Sequence, residues 1–122
     1  MTKEQALQMF WSSFGLPAYD SSTVPDSAEL PYITYEFKSG SLGDDVFLTA
    51  SLWYHDTSWA PISRKSFEIA SYLGQGGASQ PYDNGRIWIR RGNPFAQRMN
   101  EPSNDSIRRI VLSVIAEYQS AD

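Results

Sequence analysis

The chain of 122 residues contains no cysteine, so a disulfide framework, a thiolate metal site, an iron–sulfur cluster and a cysteine nucleophile are all excluded. It has one histidine, which leaves little material for imidazole catalysis or metal binding. Positive charge is in the minority: 10 Lys and Arg stand against 14 Asp and Glu, a net charge of −4. The overall field therefore repels nucleic acid and anionic membrane rather than collecting them. No apolar run approaches the ~18 residues of a membrane span. The first residues, MTKEQALQMFWSSFG, lack the basic start, apolar stretch and small-residue cleavage site of a signal peptide. These readings set the expectation of a protein made in the cytoplasm and held by no membrane. Repeats, low-complexity tracts and linkers are also missing, so residues 1–122 read as a single domain. A chain this long buries roughly two-thirds of the surface it exposes when unfolded, enough for a core without staples.

What the chain does have is aromatic surface, with 4 Trp, 7 Tyr and 6 Phe, which predicts broad apolar faces, some of them interfaces. Thr2 and Gln5 form a capping-box pattern that starts a helix near residue 3. Ala6, Met9, Phe10, Ser13 and Phe14 recur at helical spacing up to Gly15, with Phe10 and Phe14 facing the core. Residues 18–31 are rich in Ser, Asp and Pro and read as a loop, long enough to be a contact segment. PYITYEFK at 31–38 and VFLTASLWYH at 46–55 alternate with a two-residue period and make a β-hairpin.

Asp56, Thr57 and Ser58 offer helix caps, and Ile62, Ser66, Ile69, Ala70 and Leu73 mark a second helix over 59–73 closed by Gly74. Residues 74–85 read as a flexible connector, and 39–45 and 74–85 as contact loops. Asp83-Asn84-Gly85 carries positive-φ turn chemistry ahead of a strand at 86–91, with a further short strand at 95–99 after a Gly92-Asn93-Pro94 turn. Residues 107–121 fit helix and strand periodicities equally. Five of the nine residues from Ile107 to Ile115 are Ile or Val, and β-branching favours a strand with Ile110, Leu112 and Val114 buried. The expected fold class is α+β: two helices on a mixed, mainly antiparallel sheet, in the order α-β-β-α-β-β-β.

Candidate chemistry is sparse. His55 sits beside Asp56, but no Gly-x-Ser-x-Gly elbow or equivalent nucleophile accompanies them, so His55 reads as a strand-end surface residue. Asp44 and Asp45 are adjacent, and adjacent residues on a strand point to opposite faces, so they solubilise a hairpin tip rather than converge on a metal. Gly74-Gln75-Gly76-Gly77 follows a helix, whereas a phosphate loop opens one. The residues thus predict no catalytic site, no metal, no cofactor and no enzymatic activity. Six of the seven arginines fall in the C-terminal third, and Arg86, Arg90, Arg91 and Arg98 together with Asp44 and Asp45 are the candidate subunit or partner interface.

The runs ALQMFWSSFGLPAY at 6–19, VPDSAELPYITYEF at 24–37, LTASLWYHDTSW at 48–59 and GRIWIRRGNPFAQRM at 85–99 together resemble the small tail terminator (minor tail) proteins of long-tailed bacteriophages and prophages. The likeness covers nearly the whole chain and is one of order and phrasing rather than of a catalytic signature. It implies a virion protein of the tail neck that forms a ring of identical subunits, typically a hexamer. Such a ring caps the head-proximal end of the tail tube, stops tube polymerisation and presents a docking surface for head-completion proteins. The implied partners are other copies of the chain, the major tail tube protein and the head-completion or connector protein, and DNA passes through the lumen without specific binding. Two other readings stay open: a head–tail connector, and a ligand-binding module with Trp53, Trp59, Trp88 and Tyr82 as stacking platforms on one surface.

Overall fold

The computed structural model describes residues 1–101 and 104–120. The elements are α1 (Lys3–Ser12), β1 (Ala18–Asp20), β2 (Tyr32–Tyr35), β3 (Asp45–His55), α2 (Ala60–Leu73), β4 (Ala78–Tyr82), β5 (Gly85–Met99) and β6 (Ile107–Ser120). They build an α+β fold with one six-stranded sheet in the order β1-β2-β3-β6-β5-β4. β1 pairs with β2 in parallel and every other pair is antiparallel, as the mixed, mainly antiparallel expectation requires.

The C-terminal segment is the central strand. Ile110, Leu112, Val114, Ala116 and Tyr118 are buried on one face; the first four stand opposite Leu52, Ala50, Leu48 and Val46 of β3, and the Tyr118 ring meets that of Phe37 edge to face at 6.5 Å. On its other edge β6 lies against β5, with Tyr118 beside Ile87 and Ala116 beside Ile89. Both helices cover this face. α2 lies on β3, β5 and β6 through Ile62, Ser66, Ile69 and Leu73, the stripe that periodicity predicts. α1 touches β1 and β4, the two outer strands of the sheet, so the sheet curls until α1 fills the gap between its edges.

The capping box of α1 is formed: Gln5 N–H donates to Thr2 Oγ1 at 3.1 Å and Thr2 N–H donates to Gln5 Oε1 at 2.8 Å. Its buried stripe is Ala6, Leu7, Phe10, Trp11 and Phe14, not the stripe containing Met9 and Ser13. Contact with strands on both flanks turns the helix so that Leu7 and Trp11 enter the core, while Met9 rests at the rim beside Gln80. Lys65 of α2 donates to the carbonyl of Phe14 at 2.7 Å, placing a cation where the α1 segment leaves free carbonyls and tying the two helices together.

Three expectations about segments need correction. Residues 18–20 are not loop: they form β1, whose parallel register with β2 aligns Ala18 with Ile33. The connector over 74–85 contains β4, paired with β5 through a two-residue Asp83-Asn84 turn with Asn84 at φ 69°. Gly85 follows because a Cβ there would lie 2.0 Å from the carbonyl oxygen of Gln119. Residues 86–99 are one strand rather than two. The ladder to β6 runs through the Gly92-Asn93-Pro94 stretch with a register shift between Arg91 and Ala96, so residues 92–95 bulge opposite Ser113.

Leu112 is fully buried between Ala50 and Ala96, with no cation beside it, whereas Val114 neighbours Arg91. Leu112→Ala is expected to lower unfolding free energy by about 2–5 kcal/mol, read by denaturant titration; a change below about 1 kcal/mol would contradict the central placement of β6. Tyr118 is buried and its hydroxyl donates to the Lys38 carbonyl at 2.6 Å. Burial, with lesser pushes from Glu4 and Tyr82, raises its pKa from 10.0 to about 12. Folding favours the neutral phenol, so this contribution is whole below pH 10 and is lost as pH rises toward 12. Tyr118→Phe is therefore expected to be modestly less stable at neutral pH, by about 1 kcal/mol, and to lose less stability than wild type between pH 10 and 12 in alkaline melts.

Candidate assembly surface

The alternation that buries one face of the sheet sends the other residues to a face that neither helix covers. Register places Tyr32, Trp53, Arg109 and Met99 in one row across β2, β3, β6 and β5, and Tyr19 of β1 meets Tyr32 edge to face at 5.6 Å. The next row is Thr34, Ser51, Val111 and Gln97, followed by Thr49 and Ser113. Toward the far end come Phe47, Ile115 and Arg90, then Asp45, Glu117 and Trp88. Phe47 is 67% exposed there. Aromatic and arginine side chains thus mark both ends of the open face, and small hydroxyl residues its middle.

The three tryptophan rings outside the core, Trp53, Trp59 and Trp88, are covered by guanidinium groups. Arg109 lies 4.6 Å from the Trp53 ring centre and Arg90 lies 4.4 Å from that of Trp88. Trp59 meets both Arg98 at 4.7 Å and Arg108 at 5.2 Å. The indole N–H groups of Trp53 and Trp88 donate to Thr34 Oγ1 and the Gly76 carbonyl. Tyr82 pairs with Gly85, and its hydroxyl donates to the Gln119 carbonyl. A sugar-stacking surface wants bare ring faces on one side of the molecule; here Trp53 and Trp88 share the open face, and each already carries a cation.

The six candidate interface residues do not form one patch. Arg90 and Asp45 meet within the chain, Nη2 to Oδ1 at 2.7 Å, across the intervening β6. Arg86 is on the open face and its Nε donates to Gln119 Oε1 at 2.7 Å. Asp44 is exposed in the turn before β3. Arg91 and Arg98 point to the helix-covered face, beside Val114 and Ile110 of β6. Between them a groove of about 380 Å³ runs between α2 and β5, lined by Phe67, Ala70, Phe95 and Ala96 among others. Phe67 is 74% exposed. It falls off the Ile62-Ser66-Ile69-Leu73 stripe, so its exposure was legible from helical spacing, although its place beside two arginines was not.

His55 is exposed at the end of β3, opposite Ile107. The Asp56 carboxylate accepts the Ser58 N–H at 2.8 Å and is engaged in the turn that leads into α2. Among the described residues no three His, Asp or Glu side chains gather as metal ligands, and no helix is long and apolar enough to cross a membrane.

No protein-family model matches the chain, and no curated protein does. Among solved structures it is similar to a chain of the virion of a native gene transfer agent particle, with 18% sequence identity, a TM-score of 0.61, and coverage of 96% of this chain and 91% of that one. The two chains share the fold over nearly their full lengths.

Two outcomes check this surface. His55→Ala should leave unfolding free energy within about 0.5 kcal/mol of wild type; a larger loss would assign His55 a structural role that its surroundings do not suggest. A double-mutant cycle on Asp45 and Arg90 should return a coupling of about 0.5–1 kcal/mol, because the carboxylate is half exposed. A coupling near zero would mean that the pair does not persist in solution.

Proposed function

We propose that this chain is a structural protein of a phage-like virion and, within that class, the tail terminator. Copies close into a ring, a hexamer in the reading taken from the resemblance, on the head-proximal end of the tail tube. The ring ends tube polymerisation and offers its other side to the head-completion or connector protein. The observation that carries the reading is the fold likeness to a gene transfer agent virion chain over 96% of this one, which agrees with the independent resemblance of its sequence runs to tail terminators. An open sheet face rich in aromatic and arginine residues supports it, since these residue types favour protein interfaces. The same proposal makes the protein a non-enzyme of the tail neck, made in the host cytoplasm. DNA crosses the lumen unbound, consistent with a net charge of −4. A head–tail connector is the nearest alternative, because the fold likeness serves both.

Deleting the gene in its phage is the test. Tails of abnormal length together with unjoined filled heads are the expected result. Tails of normal length that fail to join heads would favour the connector, and normal infectious particles would end both readings. Reversing Arg90 is a poor probe of subunit contacts, because it would also break the internal bond to Asp45.

A further inference from the structure

The charges of the chain are segregated along the sequence. Residues 16–37 carry Asp20, Asp26, Glu29 and Glu36 and no Lys or Arg, whereas residues 84–100 carry Arg86, Arg90, Arg91 and Arg98 and no Asp or Glu. The fold places the first segment and the outer half of the second, beyond its pairing with β4, at opposite edges of the sheet and at the same level. Tyr32 of β2 pairs with Trp53, Trp53 with Arg109, and Arg109 with Met99 of β5. β4 pairs only with residues 85–89 of β5, so at this level the sheet ends on β1 at one side and on the outer half of β5 at the other.

Each edge carries charge without an ion-pair partner among the described residues, although Arg98 stacks on the Trp59 ring. At the β1 edge, residues 21–31 are the crossover demanded by parallel pairing of β1 and β2. Asp20 there is occupied by Ser22, which donates both its N–H and its hydroxyl. Asp26 and Glu29 are exposed and have no ion-pair partner among the described residues. At the β5 edge, Arg91 and Arg98 are exposed, likewise without a carboxylate partner among the described residues, and flank the groove floored by Phe67, Phe95 and Ala70. The crossover has side chains for such a floor in Val24, Ala28 and Leu30, each only partly buried.

We propose that this groove receives the acidic β1–β2 crossover of a second copy of the chain, with Asp26 and Glu29 against Arg91 and Arg98 and an apolar contact at Phe67. The contact is head to tail: the two surfaces differ and lie at opposite edges, so each copy offers one and accepts the other, and the series closes when the rotation per copy divides a full turn. The proposal rests on the reading of the chain as a ring-forming virion protein and names the surfaces that meet in the ring.

The test is complementation of the phage deletion with four alleles: wild type, Arg91→Glu with Arg98→Glu, Asp26→Lys with Glu29→Lys, and all four changes together. All four positions are exposed, and thermal melts establish that each variant folds. Each double variant is expected to lose infectious titre by on the order of a hundredfold, because like charges then face each other. The combined variant is expected to recover most of that loss, and so is a one-to-one mixture of the two double variants, since opposite charges meet again at every junction of an alternating ring with an even number of copies. Arg91→Lys with Arg98→Lys keeps the charge and should retain titre. Folded double variants with wild-type titre would overturn the proposal while leaving the function reading in place. Loss that the combined variant fails to repair would also overturn it, assigning the charges to a partner of another kind. A deletion without phenotype would remove the function reading, and the proposed ring contact with it.

Discussion

Everything in this fold hangs on β6 being paired along both edges. Its backbone groups are taken up by β3 from Asp45 to His55 on one side and by β5 from Gly85 to Met99 on the other. Its inward residues Ile110, Leu112, Val114, Ala116 and Tyr118 form the floor on which α2 rests. A slip of one residue would send all five outward and bring Arg109, Ser113 and Glu117 into the core, so the register is strongly specified. The Gly92–Phe95 bulge is compatible with this because it lies entirely on β5. The register before and after it keeps Ile89 and Ala96 on the covered face, and Gly92 provides room where a Cβ would come within 2.9 Å of the Ser113 carbonyl oxygen.

From the ladder follows the asymmetry of the two faces. The sheet curls around α1, and both helices are spent on the concave side, so neither helix covers the other face. The open face is not a bare apolar slab. Thr34, Thr49, Ser51 and Ser113 keep its middle polar, Arg109 reaches Ser51 Oγ at 3.1 Å, and cations lie over the Trp53 and Trp88 rings. Each of these two rings presents a guanidinium outward rather than a bare apolar face. The open face still offers the arginine and aromatic groups on which protein contacts commonly turn.

The parts of the fold that were legible in the sequence are those where side chains dictate backbone. The Thr2–Gln5 cap, the Ile62-to-Leu73 stripe and the alternation of β3 each point to one conformation, and the β-branched run of β6 tips an otherwise even periodicity toward strand. What escaped reading was fixed by partners remote in sequence. β1 and β4 are short and polar, and they are strands because β2 and β5 present free backbone groups to them, which no local pattern announces. The face of α1 depended on which strands flank it, so Met9 and Leu7 could not be ordered by spacing. The candidate interface was legible only in kind. Arg90 and Asp45, 45 residues apart, are joined by a register across three strands, and that same register separates Arg91 from Arg90 by putting adjacent residues on opposite faces.

The distribution of arginines carries a last consequence. Arg90, Arg108 and Arg109 are held by contacts inside the chain, to Asp45, to the carbonyls of Thr57 and Asp105, and to Ser51. These cations fasten strands and turns, and their removal would be felt as lost stability. Arg91 and Arg98 have no carboxylate of their own among the described residues, Arg98 resting only on the Trp59 ring, and they sit where the sheet has run out of strands. An exposed ion pair contributes little by itself and is weakened by salt. A contact built on two of them around one phenylalanine would therefore be feeble between free copies and would gain strength only when several copies are held at the correct angle together. Under the proposed function, that property would keep copies from closing on each other before a tube end supplies the angle.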